Sequence, residues 1–212
     1  MIWDWQLARD SIVPILQGFG ITVVATLLAT VVAAVLGLLI AIVRRSAPRP
    51  IAMVLGAVVE FIRSTPLLVQ LFAVYVVVTQ LNAFQVGVIV LGIHYATYMS
   101  EVYRAGIDGV PKGQWEAATA LSLPTGRTWF AVIIPQALRS VLPALANYVV
   151  SMFKETPFLA VISVHEMVFA AGEIGSFNFR YLEVYTIAGL LFLLASYPTS
   201  LLTRRLEKRL AH

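Results

Sequence analysis

The sequence predicts an all-α integral membrane protein with five transmembrane helices. Of its 212 residues, 59% are hydrophobic and only 12% are charged, whereas a soluble domain carries about 25% charged residues. Because each span needs about 20 apolar residues, roughly five or six spans fit with their connecting loops. We therefore expect one membrane domain over residues 1–212. The sequence contains no cysteine, which excludes disulfides and thiol chemistry.

Apolar stretches give the positions of the five spans. Residues 11–43 contain no charge, and the first span is expected at 21–43. The other spans are expected at 51–78, 86–104, 140–164 and 184–203. The segment 168–181 is of mixed polarity and is not expected to cross, because it carries charged residues.

The longest polar interruption is the loop 108–135. It predicts a short amphipathic helix over 114–121, which ends because the residue before Pro124 is disfavoured in the helical region. Thr125 is expected to cap a second helix that meets Pro135. Two short helices joined by a proline turn would form a knob projecting from the membrane, where an aqueous partner can bind it.

The residue types in the first of these helices suit an interface. Ala117 and Ala118 are small, so a partner could approach the backbone closely, and Trp115 and Leu121 offer apolar anchors. Glu116 lies near the predicted helix start, where the helix dipole favours negative charge. The alternative is a solvated amphipathic loop lying on lipid headgroups.

A family resemblance rests on the same loop. Glu116-Ala117-Ala118, followed by the sequence Ile-Ile-Pro-Gln-Ala at 133–137, resembles the signature loop of permease subunits in ATP-binding-cassette importers. The family pattern is Glu-Ala-Ala, three residues, Gly, and then Ile-x-Leu-Pro, so Ser122 stands where Gly is usual. Residues 60–70 and 100–107 are similar to the polar-amino-acid branch, and residues 94–124 look closest to permeases for ectoine and hydroxyectoine.

The resemblance implies a five-span importer permease fold with a cytoplasmic coupling helix. The residues implied in ATPase coupling are Gln114, Trp115, Glu116, Ala117, Ala118, Leu121 and Ser122. The implied partners are two ATPase subunits that bind ATP and Mg, an identical or homologous second permease, an extracytoplasmic solute-binding protein and the bacterial inner membrane. No cofactor is expected on this chain, because it lacks the Gly-x-x-x-x-Gly-Lys-Ser/Thr motif of phosphate-binding loops, and no nucleic acid is expected.

Two basic residues inside apolar stretches form a second candidate site. Arg63 and Lys154 are each followed by Thr-Pro two and three positions later. Such charges are costly in a bilayer and usually face a protein interior or a water-filled path. Matching proline-broken helices indicate a midplane substrate site in transporters, although coincidence also explains six similar residues.

The side chains near these motifs suit a small zwitterion, such as an amino acid or a cyclic osmolyte. Arg63 can bind a carboxylate through two parallel hydrogen bonds, and Glu155 can face an amino group. Hydroxyls are added by Ser64, Thr65 and Thr156. The alternative is purely structural, with Arg63 paired to Glu60 and the charges near position 154 stabilising the helix.

Charge sorting predicts the orientation. The loop 44–49, the signature region and the C-terminal tail are basic and fall on one side of a five-span chain. The other side carries Asp4, Asp10, Glu166, Glu173 and Glu183 against Arg9 and Arg180. The positive-inside rule then places the N-terminus outside and the C-terminus in the cytoplasm.

Two other function classes compete with an ATP-driven importer. An ion-gradient-driven secondary transporter or channel would use the charges near 60–63 and 154–155 as a proton relay. An intramembrane enzyme lacks support, because no nucleophile–base pattern is present, so no catalytic residue is expected. The histidines at 94, 165 and 212 have no ligand-like spacing, so no metal site is expected.

Overall fold

The computed structural model describes residues 3–210, and all regular secondary structure in that part of the chain is helical. The helices are α1 (Trp5–Ser46), α2 (Arg49–Ser64), α3 (Leu67–Val77), α4 (Ala83–Asp108), α5 (Lys112–Ala120), α6 (Thr125–Arg127), α7 (Ile134–Glu155), α8 (Met167–Asn178) and α9 (Leu182–Leu210). A π-helical segment, Thr128–Ile133, joins α6 to α7, and a 3₁₀ segment, Thr156–Ile162, follows α7.

Helix α1 is the longest element and contains the predicted span 21–43. Its 42 residues give a length of about 63 Å, roughly twice the hydrocarbon thickness of a bilayer. Its buried face is built mainly from small residues, namely Ala8, Ser11, Gly18, Thr22, Ala25, Thr26, Ala29, Ala33, Gly37 and Ala41. Small side chains let two helix backbones approach closely in a membrane. This face packs along α4, and near its N-terminal end it packs on α8.

Helices α1 and α4 run parallel. Along both helices the residue numbers of the contacting pairs increase in the same direction: Val32 with Gly92, Gly37 with Met99, and Arg44 with Glu101. The chain between them must therefore return across the bilayer once. This return is made by α2 and α3, which are bent by 105° at their junction. Four helices are long and apolar enough to span alone, and a fifth span results if the bent pair crosses the bilayer as one unit.

The break within the predicted second span occurs where the sequence indicated it. Thr65, the residue before Pro66, has an extended backbone with φ −104° and ψ 139°, as expected before a proline. Helix α3 then begins at Leu67. The two short helices predicted in the loop 108–135 differ more from the structure.

The prediction that Thr125 caps a short helix ending at Pro135 is wrong. Pro124 occupies the cap position, and no side chain caps the helix. The helical path continues through the π-helical segment into α7, which contains Pro135 in its first turn. The loop helix α5 thus leads directly into the fourth span.

The helix directions sort the charges to two ends of the molecule. Helix α9 runs parallel to α1, because the Asp4 N–H donates to Glu183 at their N-terminal ends and Val23 shares a cavity with Ala195 further along. We call the end formed by the C-termini of α1, α4 and α9, with α5, the basic end; the opposite end, with α8, is the acidic end. The basic end carries Arg44, Arg45, Arg49, Arg104, Lys112, Arg127, Arg139, Arg204, Arg205 and Lys208, and the acidic end carries Asp4, Asp10, Glu166, Glu173 and Glu183 with Arg9 and Arg180.

Candidate functional site: the loop helix and an intramembrane cavity

The inner face of α5 packs on its own chain. Ala118 is only 3% exposed. The Trp115 ring meets the Trp129 ring edge to face, with centroids 5.3 Å apart, and the Arg45 guanidinium lies over Trp115 at 5.8 Å. Trp115 and Ala118, which the sequence suggested as contacts for a partner, therefore hold α5 against the rest of the molecule. Periodicity alone does not distinguish the inner face of a surface helix from its outer face.

The outer face of α5, defined by Glu116, Ala117 and Leu121, is exposed. Leu121 is 72% exposed, and Phe130 on the adjoining π-helical segment is 74% exposed. Two large apolar side chains beside small and charged ones, on a segment that projects from the bundle, resemble the apolar centre and polar rim of a protein interface.

The start of α5 differs from the prediction. The helix begins at Lys112 with Pro111 as its cap, so Glu116 lies beyond the first turn, where helix-dipole stabilisation falls off. Among the described residues Glu116 forms no ion pair. Gln114 accepts a hydrogen bond of 3.2 Å from the Gln136 amide, which ties the first turn of α5 to α7.

Ser122 ends α5 in a left-handed backbone conformation with φ 49°. The Ser122 N–H donates to the Thr119 carbonyl at 2.9 Å, and the Leu123 N–H donates to the Ala118 carbonyl at 3.0 Å. This pair of bonds is the Schellman arrangement, whose left-handed position is usually glycine. The geometry explains why the resembling family has Gly at this position.

Arg63 lies at the break between α2 and α3 and forms the predicted pair with Glu60, at 3.4 Å. Its guanidinium also lies over the Tyr98 ring, 5.2 Å from the centroid. The Arg63 Nε is buried and has no hydrogen-bond partner among the described residues. The ion pair therefore leaves part of the guanidinium unsatisfied.

The hydroxyl groups beside the helix breaks at Pro66 and Pro157 differ in whether a solute can reach them. The Thr156 side chain is fully buried and donates to the Phe153 carbonyl at 2.8 Å. The Thr65 hydroxyl accepts from the Gln70 amide at 2.7 Å. Both threonines thus satisfy groups at helix breaks. Ser64 is exposed and remains the accessible hydroxyl of the predicted set.

The two proline breaks come together in the bundle, because α3 contacts the 3₁₀ segment that follows α7. Beside them is a cavity of about 230 Å³, which we call the Tyr98 cavity, lined by His94, Tyr95, Tyr98, Tyr148, Ser151 and Glu155. Glu155 is half-buried there, whereas Lys154 is exposed on the neighbouring position. Arg63 and Glu155 therefore approach the same aromatic wall from two broken helices.

Sequence reasoning missed the aromatic residues of this cavity. Tyr95 and Tyr98 follow His94 at helical spacing on one face of α4, which is a weak signal because core helices carry the same pattern. His94 is buried and its Nδ1 lies 3.1 Å from the Gln70 side-chain oxygen. This hydrogen bond connects α4 to the broken pair.

A wider cavity of about 620 Å³ opens at the acidic end, between α1, the start of α4 and the segment before α8. Its polar lining includes Gln17, Asn82 and His165. The neighbouring Glu166 is fully buried and caps α8 by accepting from the Phe169 N–H at 2.7 Å. Burial raises the pKa of Glu166, and its carboxyl does not border the cavity.

Known proteins resemble the chain over nearly its full length. Residues 33–212 match the family model "Binding-protein-dependent transport system inner membrane component". "Probable amino-acid ABC transporter permease protein y4tG" of Sinorhizobium fredii is 42% identical over 94% of this chain and 89% of its own length. "L-cystine transport system permease protein TcyB" of Bacillus subtilis is 37% identical over 97% of this chain and 91% of its own length.

A solved structure gives the same result. The chain superimposes on a protein described as an amino acid ABC transporter with histidines, with a TM-score of 0.87 and 35% identity, over 99% of this chain and 100% of that one. With four to five candidate spans and a matching family model, this chain therefore belongs to the family of binding-protein-dependent transport system inner membrane components, and it is a transport subunit rather than an enzyme.

Proposed function

We propose that this chain is the permease subunit of an ATP-driven importer, forming the translocation path for a polar amino acid or a related zwitterion. The observation that carries this proposal is the Tyr98 cavity, where Arg63 and Glu155 approach one aromatic wall from two broken helices. Relatives whose names specify amino acids favour the same solute class.

The chemistry of the cavity suits the two charges of a zwitterion. A guanidinium binds a carboxylate through parallel hydrogen bonds, and the Arg63 Nε lacks an acceptor among the described residues. A solute ammonium group can interact with the Glu155 carboxylate and with the faces of the tyrosine rings. The volume of about 230 Å³ is below the roughly 300–1,000 Å³ of drug-sized sites, which favours a small solute.

Exposed polar side chains within the spans support a path shared with a second permease. Glu60 has a side-chain exposure of 68%, and Lys154 and Ser151 are also exposed. Charged groups in a membrane protein rarely face lipid, because the hydrocarbon does not solvate them. A second permease subunit, identical or homologous, would cover this surface and enclose the path.

We place the other partners at the two ends of the molecule. The basic end is cytoplasmic by the positive-inside rule, so the outer face of α5 is the proposed docking surface for one of two ATPase subunits, which bind ATP and Mg. The extracytoplasmic solute-binding protein would deliver solute at the acidic end, where the 620 Å³ cavity opens. In this arrangement the N-terminus lies outside and the C-terminus in the cytoplasm of a bacterium.

The proposed solute can be stated as a general class and as specific candidates. Relatives named for cystine, arginine and glutamine favour an amino acid. The similarity of residues 94–124 to ectoine and hydroxyectoine permeases keeps these cyclic zwitterions as the more specific candidates. Both groups of solutes present a carboxylate for Arg63 and a cationic group for Glu155, so direct uptake assays are needed to choose between them.

The proposal is tested by uptake into proteoliposomes that contain the complete transporter and its solute-binding protein. Arg63→Ala should lower solute uptake by about 10- to 150-fold, since a hydrogen bond to a charged group contributes about 1.5–3 kcal/mol. Arg204→Ala is the matched control, because Arg204 lies on α9 away from α5, is exposed and forms no ion pair with any described residue. Normal uptake with unchanged solute preference in Arg63→Ala would overturn the substrate-path assignment.

The same vesicles separate this proposal from an ion-gradient-driven transporter. Uptake should require ATP on the side of the ATPase subunits and continue when an ionophore collapses the proton and sodium gradients. Uptake that is abolished by the ionophore and proceeds without ATP would favour the secondary transporter instead.

A further inference from the structure

The basic end contains an ion network that connects α1 to α4. Arg44 pairs with Glu101, and Arg104 pairs with both Glu101 at 2.7 Å and Asp108 at 3.5 Å. Arg45 pairs with Asp108 at 3.7 Å. We call these five residues the basic-end network. They occupy the last turns of α1 and α4, immediately before the turn that leads to α5.

Arg45 is the member of this network that also contacts α5. Its guanidinium lies over the Trp115 ring at 5.8 Å, and Trp115 in turn packs on Trp129 of the π-helical segment. One side chain therefore joins the end of α1, the end of α4 and the inner face of α5. A displacement of α5 acts on Arg45 as well as on the covalent turn at 109–111.

The pair α1–α4 can carry such a displacement toward the Tyr98 cavity. The two helices pack closely through small residues along their shared length. Helix α4 supplies His94, Tyr95 and Tyr98 to the cavity wall. Asp108 lies ten residues beyond Tyr98 on this helix, which corresponds to about 15 Å at 1.5 Å per residue.

The contacts of Arg45 contribute little to global stability. The Arg45 and Asp108 side chains are 51% and 42% exposed, and exposed ion pairs typically contribute about 0–1 kcal/mol. The Arg45 contacts are therefore easy to remove without unfolding the chain. Their position, rather than their strength, distinguishes them from other surface pairs.

We infer that Arg45 is a positioning residue that makes α5 move with the α1–α4 pair, so that ATP hydrolysis in the partner changes the shape of the Tyr98 cavity. This inference rests on the proposed role of α5 as the docking helix. Without the Arg45 contacts, α5 stays docked to the ATPase but moves without carrying α1 and α4 along. ATP hydrolysis then continues while less solute crosses per ATP.

The experiment measures solute transported per ATP hydrolysed in proteoliposomes with the solute-binding protein. Arg45→Ala should lower this ratio at least about threefold while solute-stimulated ATP hydrolysis stays within about twofold of the wild-type rate, since the exposed pair contributes little to folding. Arg45→Lys should restore the ratio in part, because it retains the charge. Arg49→Ala is the control, because Arg49 is a nearby basic residue that forms no ion pair with any described residue; its ratio should be unchanged.

A double-mutant cycle tests whether Arg45 acts through Trp115. Trp115→Leu keeps an apolar side chain but removes the aromatic face, so it should lower the ratio too, and combining it with Arg45→Ala should add little. A wild-type ratio in Arg45→Ala, or fully additive effects of the two substitutions, would overturn the inference.

One further variant separates failure of this inference from failure of the proposed function. Leu121→Glu places a charge on the outer face of α5 and should abolish solute-stimulated ATP hydrolysis. If Leu121→Glu is inactive and Arg45→Ala has a normal ratio, the docking role of α5 stands and only the Arg45 inference fails. Normal stimulated hydrolysis in Leu121→Glu would contradict the docking role itself, and the Arg45 inference with it.

Discussion

Three residues other than glycine adopt left-handed backbone conformations in the described part of the chain: Ser122, Ser163 and Phe179, with φ of 49°, 63° and 53°. Each one ends a helical segment with the same pair of backbone hydrogen bonds. A left-handed conformation costs an L-amino acid roughly 1–2 kcal/mol. Serine at position 122 therefore makes the end of α5 less stable than glycine would.

Ser122→Gly should stabilise the end of α5 by about 0.5–1 kcal/mol, since part of the relieved strain is offset by the greater freedom of glycine in the unfolded chain. Hydrogen exchange of the amides at 118–123 should then slow by about two- to fivefold, because local opening limits the exchange. The matched control is Ala120→Gly in the last turn of the same helix, where glycine costs up to about 1 kcal/mol, so exchange should become faster. Equal responses of the two variants would contradict the strain at Ser122.

At the scale of single residues, the sequence shows which side chains suit an interface or a turn, but it does not show what surrounds them. The family pattern identified Ser122 as a departure, but the left-handed backbone that makes glycine favourable there is visible only in the structure. In the same way, Trp115 and Ala118 were suitable for an interface by type. Their inward orientation depends on Trp129 and Arg45, which are distant in sequence and whose proximity is set by tertiary packing.

At the scale of elements, the packing of α1 against α4 depends on glycines that lie in helix interiors. A Cβ added at Gly37 would come within 2.9 Å of the Ala96 carbonyl oxygen and 3.1 Å of the Met99 Cβ. A contact with backbone cannot be relieved by rotating a side chain, so the two helices would have to separate. By contrast, a Cβ at Gly189 in α9 would meet nothing within 4 Å.

Gly37→Ala should therefore destabilise the purified complex by about 1–3 kcal/mol, the usual range for overpacking a close contact. Gly189→Ala has no clash and improves helix propensity, so it should leave stability unchanged or slightly higher. Thermal unfolding of the two variants in detergent would show the difference. A Gly37→Ala complex as stable as Gly189→Ala would contradict the close α1–α4 contact.

The elements themselves follow from the sequence with two exceptions. Apolar stretches gave four of the spans, and Pro66 indicated the break in the second. The 105° bend at that break and the π-helical segment Thr128–Ile133 have no periodic signal. Both depend on how the neighbouring helices accept the chain, since a proline allows a bend but does not fix its angle.

At the scale of the whole molecule, the directions of the helices sort its charges. Helices α1, α4 and α9 run parallel, so their C-terminal ends gather at one end together with α5. That end carries most of the arginines and lysines, whereas the acidic end carries five acidic residues and two arginines. The sequence predicted this sorting from loop charges alone. It did not predict the Tyr98 cavity. The residues of that cavity come from α4 and α7, and no local sequence pattern indicates that these two helices pack together.

The orientation of the molecule can be tested with reporter fusions in living bacteria. Fusions after Arg49, Lys112 and Arg209 should all report the cytoplasm, because Arg49 and Lys112 follow helices that end at the basic end and Arg209 lies in the last turn of α9. Basic segments are retained inside. A fusion after Asn82, which precedes α4 at the acidic end, should report the outside. The Asn82 fusion also tests the bent pair, since it reports the outside only if α2 and α3 together cross the membrane once. A cytoplasmic signal at Asn82 would contradict the fifth span, and an outside signal at Lys112 would contradict docking of a cytoplasmic ATPase on α5.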